Sequence, residues 1–205
     1  MRINEVRTRY SRPRAEFVEF KMLTSYNLGG LRVFTASNRI MVYEFPPINV
    51  KAGEYVVLHF RTLSDENRNE YGDDLTLSSG TDSSLIARDL WIPGSIKMID
   101  NTDAVYVLDK DNKVLAAVMF ADNPGPVWEK DYMTEAAEFL FNQGAWKSAA
   151  GTIPTPLDVV NSTSSTATRT ICRDEKAEDT RTAADWYVTV NSGNSAGYPN
   201  DPRRY

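Results

Sequence analysis

One cysteine and one histidine in 205 residues remove most of the chemistry that depends on them. With Cys172 alone no intrachain disulfide forms, and zinc ribbons and fingers are excluded. A Ser-His-Asp or Cys-His device has only His59 to be built on. No amino-terminal apolar run of signal-peptide type is present, and no stretch approaches the length of a membrane span. Internal repeats and a second set of core elements are also lacking, so one domain over residues 1–205 is expected. Basic residues are outnumbered, 23 to 28, and the formal net charge of −5 disfavours both nonspecific nucleic-acid binding and anionic membranes.

What is present is ordinary for a soluble globular chain: 41% hydrophobic and 25% charged residues, enough to bury a core without disulfides or metals. Short alternating runs bounded by turn formers dominate the first two thirds, the pattern of antiparallel strands with one buried face. The expected strands are Ile3 to Arg7, Ala15 to Leu23, Leu31 to Thr35, Ile40 to Glu44 and Glu54 to Phe60. Pro46-Pro47 ends the fourth, because proline donates no hydrogen bond to a ladder. Val105 to Leu108 and Val114 to Phe120 form a hairpin across Asp109 to Lys113, and a further strand covers Arg169 to Arg173. Two segments exceed this pattern. Residues 63–89 form a long polar loop, functional or mobile. Residues 128–143 form a helical insertion, with Tyr132, Ala136, Phe139 and Leu140 on one face and Gly144 as the stop.

Candidate chemistry is sparse. Glu16 and Glu19 are a tempting carboxylate pair, but odd spacing in a regular strand puts them on opposite faces; one of them is expected to find a buried partner such as an arginine. Asp109-x-Asp111-x-Lys113 starts like a calcium loop and fails at positions five, six and twelve, so a hairpin turn is the expectation. Asp73, Asp74 and Asp82 in the long loop form a looser candidate metal set. Tyr71, Trp91, Trp128 and Trp146 offer aromatic surface, although Trp128 and Trp146 flank the helix and are expected to pin it. Asn161-Ser162-Thr163 is a glycosylation acceptor only in a eukaryotic secretory setting. Arg2, Arg7, Arg9, Arg12 and Arg14, with Arg203 and Arg204, make a basic patch if the chain ends meet; otherwise they keep an edge strand soluble.

The most specific features sit at the two ends. Ile3-Asn4-Glu5-Val6 and Glu16-Phe17-Val18-Glu19-Phe20 stand near the start. Ile171-Cys172-Arg173, Asp179-Thr180, Asp185-Trp186 and Gly197 to Asn200 stand near the end. Together with the turn before Tyr55-Val56-Val57-Leu58, this set resembles the lamin-tail domain. The resemblance implies an all-β fold: an immunoglobulin-like antiparallel β-sandwich with one helical insertion. It implies a noncatalytic interaction or adhesion module of a bacterial surface or exported protein, located outside the cytoplasm in the periplasm or on the cell surface. A surface lipoprotein is one parent. The expected partner is a protein or glycan, with no cofactor and no catalytic or metal residue assigned. Two alternatives stay open: a metal-dependent hydrolase built on the acidic 63–89 loop, and a nucleic-acid-associated module built on the terminal arginines.

Overall fold

The computed structural model describes residues 1–193 and 195–205. The strands are β1 (Arg2–Arg7), β2 (Phe17–Lys21), β3 (Tyr26–Asn27), β4 (Arg32–Thr35), β5 (Met41–Glu44), β6 (Asn49–Val50), β7 (Tyr55–His59), β8 (Arg88–Trp91), β9 (Asp103–Leu108) and β10 (Val114–Ala121). The helix α1 (Asp131–Asn142) follows, and then β11 (Val160–Asn161), β12 (Ile171–Arg173) and β13 (Trp186–Val188). The result is an all-β sandwich with one helical insertion. One sheet runs β13-β12-β1-β2-β7-β8 and the other β11-β10-β9-β4-β5, with β3 and β6 paired separately.

Alternation builds the interior. Val18 and Phe20 of β2, Val56 and Leu58 of β7, Val33 of β4, Val105 and Val107 of β9, and Val118 and Phe120 of β10 all enter one buried cluster, which removes large apolar area from water. In β1 the register shifts between Ile3 and Glu5. The bulge lets Ile3 and Val6, three positions apart, both reach the core. Asn4 and Glu5 are thereby freed for the opposite face.

Pairing departs from the all-antiparallel expectation at two sheet edges, where β7–β8 and β10–β11 are parallel. Each connection is long enough to cross over and return in the same direction, as parallel pairing requires. β8 itself was concealed in the sequence, since its first two residues, Arg88 and Asp89, fall at the end of the 63–89 stretch. The insertion is shorter than 128–143, with α1 buried through Met133, Ala136, Ala137 and Leu140. Tyr132 and Phe139 flank that face, and Phe139 packs on Tyr106 at 5.5 Å between ring centroids. Gly144, at φ 61°, ends it. Trp146 lies in the core cluster and Trp128 packs against it; the Trp128 indole N–H donates to Pro154 O at 2.9 Å and that of Trp146 to Asp158 O at 3.1 Å, in the segment that follows the helix. In the β9–β10 turn Asp109 Oδ1 accepts from the backbone of Asp111 and Lys113, and Asn112 takes the left-handed conformation. Among the described residues no helix is long and apolar enough to cross a membrane.

Candidate functional site

The outer face of the six-stranded sheet is polar and buried. Register places Cys172, Glu5, Glu19, Val57 and Asp89 in one row across five strands, and Arg7, Phe17, His59 and Trp91 in the next. A face of this composition is stable only if something covers it and completes its hydrogen bonds. Two segments do so: the end of the chain and the 61–87 connection.

The end of the chain covers Glu5 and Glu19. Ser195 donates to Glu5 from its hydroxyl at 2.7 Å and from its backbone N–H. Gly197 N–H reaches Glu19 Oε2 at 2.6 Å, while Asn4 Nδ2 donates to Glu19 Oε1 at 2.9 Å. Asn200 donates to the carbonyls of Asn4 and Arg173. Glu175 accepts from Asn200 N and is paired with Lys21, which also donates to Tyr55 Oη. Gly197 is at φ 85°, and a Cβ there would overlap Ser84 Oγ and lie 3.0 Å from Ala87 Cβ. Only glycine fits. The two end motifs found in the sequence therefore meet in one hydrogen-bonded cluster.

Burial dominates its electrostatics. It pushes the Glu5 carboxyl above its ordinary range despite the Ser195 bonds, and pushes Glu19 well above it, with the charge of Glu5 adding to the effect. Burial, followed by the Glu5 charge, also raises the Cys172 thiol well above its usual range. Two adjacent carboxylates in such a place oppose each other's ionisation. Both glutamates are fully buried, so this pair does not flank an open substrate site of the glycosidase kind. Glu16 lies apart, in a bidentate pair with Arg61 at 2.6 Å on each oxygen. An arginine partner was the sequence expectation for one of these acids.

The 61–87 connection covers the other half. His59 Nε2 lies 2.8 Å from Asp89 Oδ1, and its ring stacks on Trp91 with centroids 3.6 Å apart. Asp89 also accepts from Ser84 N at 2.6 Å. Glu70 reaches in from the connection to accept from Asp89 N and Ser78 N. Burial raises its pKa although both bonds favour the carboxylate. Trp91 donates its indole N–H to Ser78 Oγ at 2.9 Å. Arg88 is held by Glu54 and by the carbonyls of Glu70 and Gly72. Asp82 accepts from Arg7 Nη1 at 2.6 Å and from Ala15 N at 2.7 Å. The segment is fastened at several points along its length and is packed on the sheet.

The three loop aspartates are not brought together. Asp82 is committed to Arg7, whereas Asp74 is exposed and caps Thr76; those bonds hold its pKa below the usual carboxylate range. Asp73 is exposed as well. Among the described residues no group of three or more His, Cys, Asp or Glu is arranged to hold a metal ion. His59 and Cys172 are both buried, on β7 and β12, and the sheet order places β1 and β2 between those strands. The terminal arginines are dispersed into separate pairs: Arg7 with Asp82, Arg9 with Asp122, Arg203 with Asp201 and Arg204 with Asp174. Arg12 and Arg14 are exposed.

Asp179, Thr180 and Asp185 form a turn. Asp185 accepts from Thr180 and Arg181, and Arg173 bridges Asp179 at 3.2 Å and Asp185 at 3.4 Å. Sequence reasoning missed Glu70, Asp89, Glu175 and Ser195 as members of the buried layer. Periodicity gave no signal for them, because each is defined by a partner remote in the chain.

Over residues 1–188 the chain matches the family model TP_1001_2nd, described as a protein second domain. It is 29% identical over 215 residues to an uncharacterized protein of Treponema pallidum (strain Nichols); the match takes in 98% of this chain and 53% of that protein. The chain thus spans about half the length of the relative it matches.

Proposed function

We propose that this chain, which belongs to the TP_1001_2nd family of protein second domains, is a noncatalytic interaction module whose contact surface is the 63–89 segment and whose partner is a folded protein. The supporting observation is the contrast within that segment. Glu70, Ser78, Asp82 and Ser84 fix it to the sheet, while Tyr71, Leu77, Leu85 and Ile86 stand 50%, 48%, 72% and 51% exposed. A rigid base that presents large apolar side chains to water is the arrangement of a binding surface. Rigidity lowers the ordering cost of association. The lamin-tail resemblance and a placement outside the cytoplasm belong to the same proposal, and rest on the motifs at the chain ends.

A photo-crosslinking amino acid at Leu85, incorporated in the native cell, tests this reading. The expected result is a discrete protein adduct that is absent when the probe sits at exposed Glu135 of α1. Adducts that are identical from both positions, or none from Leu85, would refute it.

A further inference from the structure

Where the start of β1, the β9–β10 turn, the end of α1 and the Asp179 turn converge, they enclose a pocket of about 150 Å³. Its lining carries four cationic side chains, Arg2, Lys113, Arg173 and Arg181, and one acidic one, Asp179. Asp185 sits behind Arg173 and offsets a second charge, so an excess of positive charge remains. Trp146 and Trp186 supply aromatic wall.

Three donors on lining residues are buried and have no acceptor among the described residues: Nε of Arg2, Nε of Arg173 and the indole Nε1 of Trp186. Arg173 and Trp186 are only 4% and 6% exposed. Buried donors without acceptors are uncommon and costly. Arg181 adds a second anomaly, since it is held at φ 61° by bonds from its backbone N–H to Asp185 and from its guanidinium to Gly144 O. A non-glycine residue kept in that conformation concentrates at ligand-binding positions.

We propose that this pocket binds a small organic carboxylate with a compact apolar body. The carboxylate would accept from the Arg2 and Arg173 guanidiniums and the Trp186 indole after small side-chain rotations, and the apolar body would lie against Trp146. The volume sets the size, because a cavity of ~150 Å³ accommodates a benzene-sized group. A ligand of that size gives a dissociation constant on the order of 1 mM.

Benzoate is the probe, with neutral benzamide as the matched control. In a ¹⁵N-correlated titration of the whole chain, benzoate is expected to move the indole N–H signals of Trp146 and Trp186 and leave those of Trp91 and Trp128 in place. Benzamide should bind at least fivefold more weakly. Arg2→Gln with Lys113→Gln, at two positions that are not fully buried, should weaken benzoate by a similar factor without unfolding the chain. Equal binding of benzoate and benzamide, shifts confined to Trp91 or Trp128, or no shift at all would overturn the proposal.

Discussion

Replacing Asp82 by asparagine tests whether the 63–89 segment is part of the architecture. Asp82 sits at φ 69°, a conformation that asparagine tolerates better than alanine, so the change removes the charge with little added backbone strain. What it leaves behind is Arg7, whose side chain is 1% exposed. That guanidinium keeps Ala15 O at 2.9 Å and the face of Phe17 at 4.6 Å, but it loses its counter-charge. Breaking a buried pair by removing one partner costs about 3–5 kcal/mol. The surviving contacts argue for the lower end, about 3 kcal/mol, equivalent to a fall of roughly 6–12 °C in Tm for a chain of this size. Urea unfolding followed by tryptophan fluorescence measures it, with Arg7→Met and the double variant completing a cycle. The double variant should be less destabilised than the sum of the two single changes. A loss under about 0.5 kcal/mol, the size expected of a solvent-exposed pair, would show the segment to be separable after all.

The remaining expectations concern the buried layer. Gly197→Ala should cost about 1–3 kcal/mol, because it combines left-handed strain with a clash against Ser84; protease digestion should then cut the last ten or so residues faster, and an unchanged rate would exclude the clash. Glu5, Glu19, Glu70 and Asp103 all have folded pKa values raised by burial, Asp103 to about 6. The folded state therefore binds more protons than the unfolded one, and the contribution of these groups is fully present below their unfolded pKa and declines as pH rises toward the folded values. Stability should fall as pH rises from the ordinary carboxylate range through about 6, the folded value of Asp103, and Glu19→Gln should flatten that slope; a rising profile would contradict the assignment. Asp103 accepts four hydrogen bonds, from Ser37 N and Oγ, Asp100 N and Ala104 N. Asp103→Asn turns one acceptor into a donor facing these groups and should cost about 1–3 kcal/mol in denaturant titrations. Cys172 should resist maleimide in the native state and react on unfolding; rapid native labelling would place the thiol at the surface.

The legible parts of this fold were those whose cause is local. Asp109 announces a turn because its carboxylate accepts from backbone two and four residues away, and Asn112 because it tolerates the left-handed conformation. Gly197 and Asn200 are visible as punctuation, and their role follows from one positive φ and one close approach. The core of β2 and β7 follows from alternation. The Asp82 to Arg7 pair spans 75 positions, and Glu70 to Asp89 joins two segments that both look solvated. A polar stretch that faces a polar sheet surface has the composition of an exposed loop, so nothing in its own residues reveals that it is packed. β8 was hidden for the same reason, because two of its four residues are charged and all four are buried.

The position of β1 also affects how the chain can be made. β1 lies between β12 and β2, so one of its edges stays open until residues 171–173 have been synthesised. Until then an unpaired strand edge faces the surroundings, and such an edge invites pairing with another chain. Strands joined over such a separation fold late and slowly. The molecule should therefore depend on escort during synthesis more than its modest size suggests. Products cut short before β12 should be cleared or aggregate rather than persist as smaller versions of the same sandwich.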